Sequence, residues 1–338
     1  MKKILQSKIF HSSLGFLVSA VLVVWLVRQL EWSKIEQEFR NVNLWYAIPV
    51  LSVLLFHNCL RALRWRYLLP HGGEIPFRLL FDSLQIGNFS TYILPLRAGE
   101  FIRPFLLSRE SPQKISFSVT FASIIVERFL DLSFILLTFA FVLKFVPVFP
   151  DWVNSGAYLL TCLALSIFVF ISLAITIPKQ LQLLINFCTK PFPVKLQKFA
   201  KHISNELILG ALVLKSPLNL LINLVLTILI WASNYYLMYL GLNLIQIEPS
   251  WTIAITTSVV IALAVAAPSA PGFIGVLQVA AVAAFALFGL SSEQATTYAV
   301  VLHMLHYGFF CSFGLWILYS RGLKLTQLRQ RSLEQSPI

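Results

Sequence analysis

Two groups of charged residues stand inside an otherwise apolar chain. The first is Pro95-Leu-Arg97-Ala-Gly99-Glu100-Phe-Ile-Arg103, preceded by Asn88; the second is Glu127-Arg128-Phe-Leu-Asp131. Arginines at 97 and 103 suit a phosphate, because a guanidinium grips an oxyanion through two parallel donors. Pro95 removes a backbone donor and Gly99 permits close backbone approach. A helix beginning there would aim its free N–H groups at an anion. Glu100 is placed to pair with either arginine, or to meet an ammonium or a sugar hydroxyl. The same segment also reads as an interfacial turn whose arginines do no more than anchor topology.

In the second group Glu127 and Asp131, four apart, share a helix face, while Arg128 and Asp131, three apart, can pair. Together the three carry one excess negative charge, so one acid needs a partner elsewhere; Arg97 or Arg103 is the expected one. Such a cluster either ties a hairpin to the next helix or serves a polar ligand, and the two roles are compatible. Further on, Pro268-Ser-Ala-Pro271-Gly272-Phe-Ile-Gly275 interrupts another apolar run. Pro268, Pro271, Gly272 and Gly275 are hinge candidates there, as Pro95 and Gly99 are in the first group, and Gln278 supplies a polar side chain. A plain turn between helices is the alternative.

His303 and His306 lack neighbouring acids or cysteines in sequence, so they read as bundle histidines and no metal site is expected. No P-loop, Rossmann glycine pattern, GxSxG or HExxH occurs, so neither a cofactor nor an enzymatic activity is expected. Cys59, Cys162, Cys188 and Cys311 show no ligand spacing and read as small buried hydrophobes.

The elements that must carry these residues are membrane helices. Of 338 residues 58% are hydrophobic and 12% charged, and the mean hydropathy is +0.79. In such a chain each ionisable group at a helix centre costs about 2.5–3.5 kcal/mol on insertion scales. Runs long enough to cross cover Phe10–Leu30, Leu44–Leu60, Phe117–Val146, Ser155–Ile177, Pro217–Gly241 and Ala295–Tyr319. The first reads as a retained span rather than a cleaved signal.

The net charge of +12 is gathered in the amino-terminal tail, Arg61–Lys114, Lys179–Lys215 and the tail from Arg321. That distribution argues for topology signals and anionic headgroups, not nucleic acid. It puts both termini on the cytoplasmic side and makes Arg61-Ala-Leu-Arg64-Trp-Arg66 a cytoplasmic loop. Leu79–Leu96 then has basic flanks on both sides and is expected to enter and turn back. Trp251–Leu290, broken at Ala267–Gly272, is expected to do the same from the other face, with two short full spans as the alternative.

The expected fold is therefore an all-α polytopic membrane helix bundle, one integral domain over 1–338 with about six full spans plus two broken or re-entrant hairpins. The order of elements fits an inverted-topology repeat with halves 1–150 and 151–320 and a cytoplasmic tail from 321 to 338.

Taken together, Arg61-x-x-Arg64-Trp, Asn88…Pro95-x-Arg97-x-Gly99-Glu100-x-x-Arg103, Glu127-Arg128-x-x-Asp131 and Pro268-Ser-Ala-Pro271-Gly272-x-x-Gly275 span most of the chain in order. This set resembles the flippase-like membrane domain of lysylphosphatidylglycerol synthases, found also as stand-alone proteins. The resemblance implies movement of an aminoacylated or other polar-headed lipid between leaflets of the cytoplasmic (inner) membrane. Many relatives carry Glu where this chain has Gln278, which puts a cation-binding or proton-coupled role there in doubt. The soluble aminoacyl-transferase domain of full-length synthases is absent from the 338 residues, so lipid lysylation by this chain alone is not expected.

On this reading the partner is a membrane phospholipid or glycolipid. Arg97, Arg103 and Arg128 hold its phosphate; Glu100, Glu127 and Asp131 contact a cationic or hydroxylated headgroup, and Asn88 stands beside them. The cavity is expected to be charged on the first hairpin's side and backbone-polar on the other. An integral membrane enzyme using Glu127 or Asp131 as a base, or an accessory subunit of envelope biosynthesis, is the alternative; a homo-oligomer is left open.

Overall fold

The computed structural model describes residues 17–70, 74–145, 177–194, 212–266 and 269–322, with isolated positions between 162 and 208. The regular elements among them are all helical. They are α1 (Leu17–Gln29), α2 (Trp32–Arg40), α3 (Ala47–Tyr67), α4 (Phe77–Ile93), α5 (Gly99–Glu110), α6 (Phe117–Phe145), α7 (Pro178–Thr189), α8 (Pro217–Leu244), α9 (Trp251–Ala264), α10 (Val276–Ala286) and α11 (Ser292–Ser320).

Three helical stretches, Leu44–Tyr67, Pro217–Leu244 and Ser292–Ser320, are long and apolar enough to cross a membrane. Helix α6 has 29 residues, about 44 Å at the helical rise, but carries Glu127, Arg128 and Asp131 around its middle. The expected span Ser155–Ile177 and the start of Phe10–Leu30 lie largely outside the described residues.

One expectation is corrected. Arg61, Arg64 and Arg66 are not in a loop: α3 continues through Tyr67, and Arg64 is fully buried. The physical reason lies on α6, whose carboxylates meet the guanidiniums of Arg61 and Arg64, so the helix can keep them.

Helices α4 and α5 form a hairpin broken at Leu94 and a short 3-10 turn, Pro95–Arg97. Helices α9 and α10 are joined through a second such turn, Pro271–Phe273. The arms measure about 26, 18, 21 and 17 Å, each short of the roughly 30 Å hydrocarbon core. The first hairpin is tight: a Cβ on Gly99 would stand 1.9 Å from the Gly87 carbonyl oxygen. Small residues at such crossings let helix backbones touch, which is how helices associate where lipid removes the hydrophobic drive.

The order long helix, broken pair, long helix thus occurs twice, as α3–α6 and α8–α11. Among these eight helices the set of packed pairs is unchanged when α3 exchanges with α8, α4 with α9, α5 with α10 and α6 with α11. For instance, α4 packs on α11 as α9 packs on α6. The central pair, α3 and α8, is antiparallel. Asn43 N–H donates to the Leu244 carbonyl at 2.8 Å near one end, His57 Nδ1 lies 3.0 Å from Ser233 Oγ midway, and Asn223 Nδ2 donates to the Tyr67 carbonyl at 3.3 Å near the other. An operation that swaps them therefore reverses helix direction.

Candidate functional site

Helix α6 fixes the site. Asp131 is its midpoint, and Glu127, one turn earlier, is fully buried. A buried carboxylate needs partners, and Glu127 has four guanidiniums around it. Arg103 of α5 donates two parallel hydrogen bonds to it, Nη1 to Oε1 at 3.2 Å and Nη2 to Oε2 at 2.9 Å. Arg128 Nη2 donates to Oε1 at 3.0 Å, and Arg61 and Arg64 of α3 each approach Oε1 to 3.5 Å. Arg64 in turn clasps Asp131 with Nη1 and Nη2 at 2.6 and 3.0 Å, and donates to Thr227 Oγ1 at 3.0 Å. Trp231 Nε1–H adds a bond to Asp131 at 3.3 Å. The Arg103 guanidinium also lies 3.9 Å from the centroid of the Trp65 ring, a cation–π contact.

Beside this network lies a cavity of about 320 Å³, walled by Arg61, Asn88, Arg97, Glu100 and Arg128 on one side and by Trp231, Asn234, Ser258 and the α11 histidines on the other. A smaller one of about 170 Å³ adjoins it and shares Arg61, Arg128, Trp231 and Asn234 as walls; His57, Asp131 and Ile230 complete it. His57, Asp131, Trp231 and His306 stand at or next to the midpoints of α3, α6, α8 and α11. The paired cavities therefore surround the middle of the four long helices.

The two hairpin breaks meet at one edge of the larger cavity. Arg97 and Phe273 both hold positive φ, 50° and 62°, a backbone state uncommon for residues with a side chain. They touch: the Arg97 guanidinium is 5.2 Å from the Phe273 ring centroid. Gly272, at φ 67°, faces the Tyr92 carbonyl and the Tyr307 ring, where a Cβ would lie 3.4 Å from each.

A family model described as the lysylphosphatidylglycerol synthase TM region matches residues 12–314. The chain belongs to that family. It is a multi-pass membrane protein, and the matched region contains both hairpins and every residue of the cavity walls. No curated protein and no solved structure matches the chain.

Within this family region the structure sorts the expected site residues into two sets. Asn88, Arg97, Glu100 and Arg128 line the larger cavity. Arg103 and Glu127 do not; they face each other, buried, behind it. Asp131 reaches only the smaller cavity and is held there by Arg64. Pro95 and Gly99 form the first break, and Pro271, Gly272 and Gly275 the second; Pro268 lies outside the described residues. Gln278 is occupied structurally: its Oε1 accepts from the Gly275 N–H at 2.8 Å, and its Nε2 lies 3.1 Å from His303 Nδ1.

Sequence reasoning passed over Arg61 and Arg64 as site residues, although both stand in the Arg-x-x-Arg-Trp motif. It also passed over Asn234, Ser258 and Trp231. The far wall is accordingly polar through side chains, Ser258 Oγ–H donating to Asn234 Oδ1 at 2.6 Å, where exposed backbone was expected. Among the described residues no group of three His, Cys, Asp or Glu is placed to hold a metal.

Proposed function

We propose that the protein moves a phosphate-bearing lipid between the leaflets of the cytoplasmic membrane, without chemical change to the lipid. The observation that carries this reading is the guanidinium-walled cavity at the middle of the long helices, edged by two hairpin breaks that touch. Arginine at membrane depth is costly, and a place where it stays accessible suits a charged group in transit. Broken helices of corresponding halves that meet near mid-helix are the usual geometry of transporter binding sites.

The family, named for the membrane region of a lipid-modifying synthase, supports a lipid as the passenger. The positive-inside pattern favours both termini on the cytoplasmic side, with the hairpins entering from opposite faces. An enzymatic reading is weaker. Glu127 and Asp131, the bases that reading would use, are each clasped by arginine, which holds them as acceptors; the carboxylate and imidazoles that remain on the larger cavity's wall are Glu100, His303 and His306.

The test is a vesicle assay with purified protein and fluorescent phospholipids, the outer-leaflet dye being quenched from outside. Protein-containing vesicles are expected to expose inner-leaflet lipid to the quencher faster than empty ones. Equal rates for every headgroup tried would overturn the proposal.

A further inference from the structure

We infer that the headgroup taken by this cavity is net anionic, a lipid phosphomonoester bound between Arg61 and Arg128, and not a cationic aminoacylated one. This deepens the translocation reading and rests on it for its setting, but it is carried by the charge count and its placement. The network and cavity walls together hold five arginines, at 61, 64, 97, 103 and 128, against three carboxylates, Glu100, Glu127 and Asp131. Two positive charges are therefore uncompensated, in surroundings where uncompensated charge is expensive. A phosphomonoester near neutral pH carries about −1.5 to −2, which matches that excess.

Placement decides the sign of the ligand. Glu127 is fully buried and Asp131 is 13% exposed, both behind their arginines, whereas Arg128 is 46% and Arg61 18% exposed. The larger cavity thus sees guanidinium donors and a single carboxylate, Glu100, which shares its wall with Arg97 and Arg128. Asn234, on the wall of both cavities, has its carbonyl oxygen taken up by the Ser258 hydroxyl, so the polar atoms it has left are amide N–H donors. An ammonium has only donors to offer. It would meet one shared carboxylate and two surplus positive charges. A phosphate meets donors on two sides, and Arg61 and Arg128 wall both cavities at the place where these join.

Ile261, Val265, Leu277, Leu302 and Phe310 give the rest of the wall an apolar stretch beside His303 and His306. Such a wall suits the glycerol or first chain carbons of an amphiphile better than a free, fully hydrated phosphate ion.

The experiment is thermal unfolding of the detergent-purified full chain, titrated separately with phosphatidic acid, phosphatidylglycerol, phosphatidylcholine, lysylphosphatidylglycerol and inorganic phosphate. Phosphatidic acid is expected to give the largest saturable rise in Tm, phosphatidylglycerol a smaller one, and the others little. Arg61→Gln and Arg128→Gln are each expected to weaken the phosphatidic acid response about tenfold. A response to lysylphosphatidylglycerol or phosphatidylcholine equal to that of phosphatidic acid would overturn the inference. So would an equal response to inorganic phosphate, which would make the ligand a free ion, or an unchanged response in the Arg61→Gln/Arg128→Gln double variant. Should those variants fail to fold, the wild-type lipid series decides alone. Running the same lipids in the vesicle assay separates the two claims. Phosphatidic acid bound but never moved would sink translocation and leave the headgroup assignment standing; lysylphosphatidylglycerol moved fastest would do the reverse.

Discussion

Arg103 and Glu127 face each other through two parallel hydrogen bonds of 3.2 and 2.9 Å, with the carboxylate fully buried. This clasp joins the second arm of the first hairpin to the middle of α6. The two ends of the clasp are unequal, because Glu127 has three further arginines within 3.5 Å. Removing the acid leaves several guanidiniums facing one another, whereas removing Arg103 leaves the acid still paired. Glu127→Ala is expected to destabilise the protein by about 3–5 kcal/mol and Arg103→Ala by clearly less. Unfolding of the purified variants in detergent measures the order; an Arg103 loss as large as that of Glu127 would contradict it.

The first hairpin depends on the absence of a side chain at Gly99, where a Cβ would meet the Gly87 carbonyl and Thr91 Oγ1 at 1.9 and 2.3 Å. Gly99→Ala must push α5 away from α4 and is expected to cost about 1–3 kcal/mol or more. Gly308→Ala is the control: its Cβ would have nothing within 4 Å, and alanine in a helix is about 0.5–1 kcal/mol better than glycine. The pair should therefore shift Tm in opposite directions.

Arg321, just past α11, bonds Asp82 of α4 at 2.5 Å and Glu110 at the end of α5 at 2.6 Å. It fastens the last helix to both arms of the first hairpin. Arg321→Ala is expected to cost about 1.5–3 kcal/mol, as for hydrogen bonds to charged groups. A double-mutant cycle with Asp82→Asn should show a coupling well away from zero; additive losses would mean the contact contributes nothing.

Access to the cavity can be read chemically. With Cys59, Cys162, Cys188 and Cys311 replaced, Asn234→Cys should react with a small polar thiol reagent, and phosphatidic acid should slow that reaction. Val50→Cys, at a position buried in the α3–α8 core, should stay unlabelled. Equal labelling at both positions would show that the reagent does not report on the cavity.

How much was legible in the sequence follows from what each signal needs. Pro95 and the Pro271–Gly275 segment announce the breaks locally, since proline and glycine act on their own backbone. The excess acid in Glu127-Arg128-x-x-Asp131 asked for an outside arginine, and charge alone narrowed the choice to two; Arg103 is the one that bonds. Arg61 and Arg64 read as a basic loop because nothing nearby shows that carboxylates some sixty residues later stand opposite them. Asn234 and Ser258 look like ordinary polar residues within apolar runs, and only the fold turns them onto the cavity. For the same reason nothing in the sequence shows that Glu127 and Asp131, expected as headgroup contacts, are clasped by arginines arriving from α3 and α5.

The exchange of α3–α6 with α8–α11 preserves the packed pairs, but it does not preserve charge. No Asp, Glu, Lys or Arg from α8, α9, α10 or α11 lines the larger cavity. The pattern of packed helix pairs repeats, while the charge on the cavity wall is one-sided. An anion held here is ionically attached to one half of the molecule and merely faced by the dipoles of the other. On the translocation proposed above, the anion would stay with α3 and α6 as the halves shift, and the neutral half would be the part that lets go.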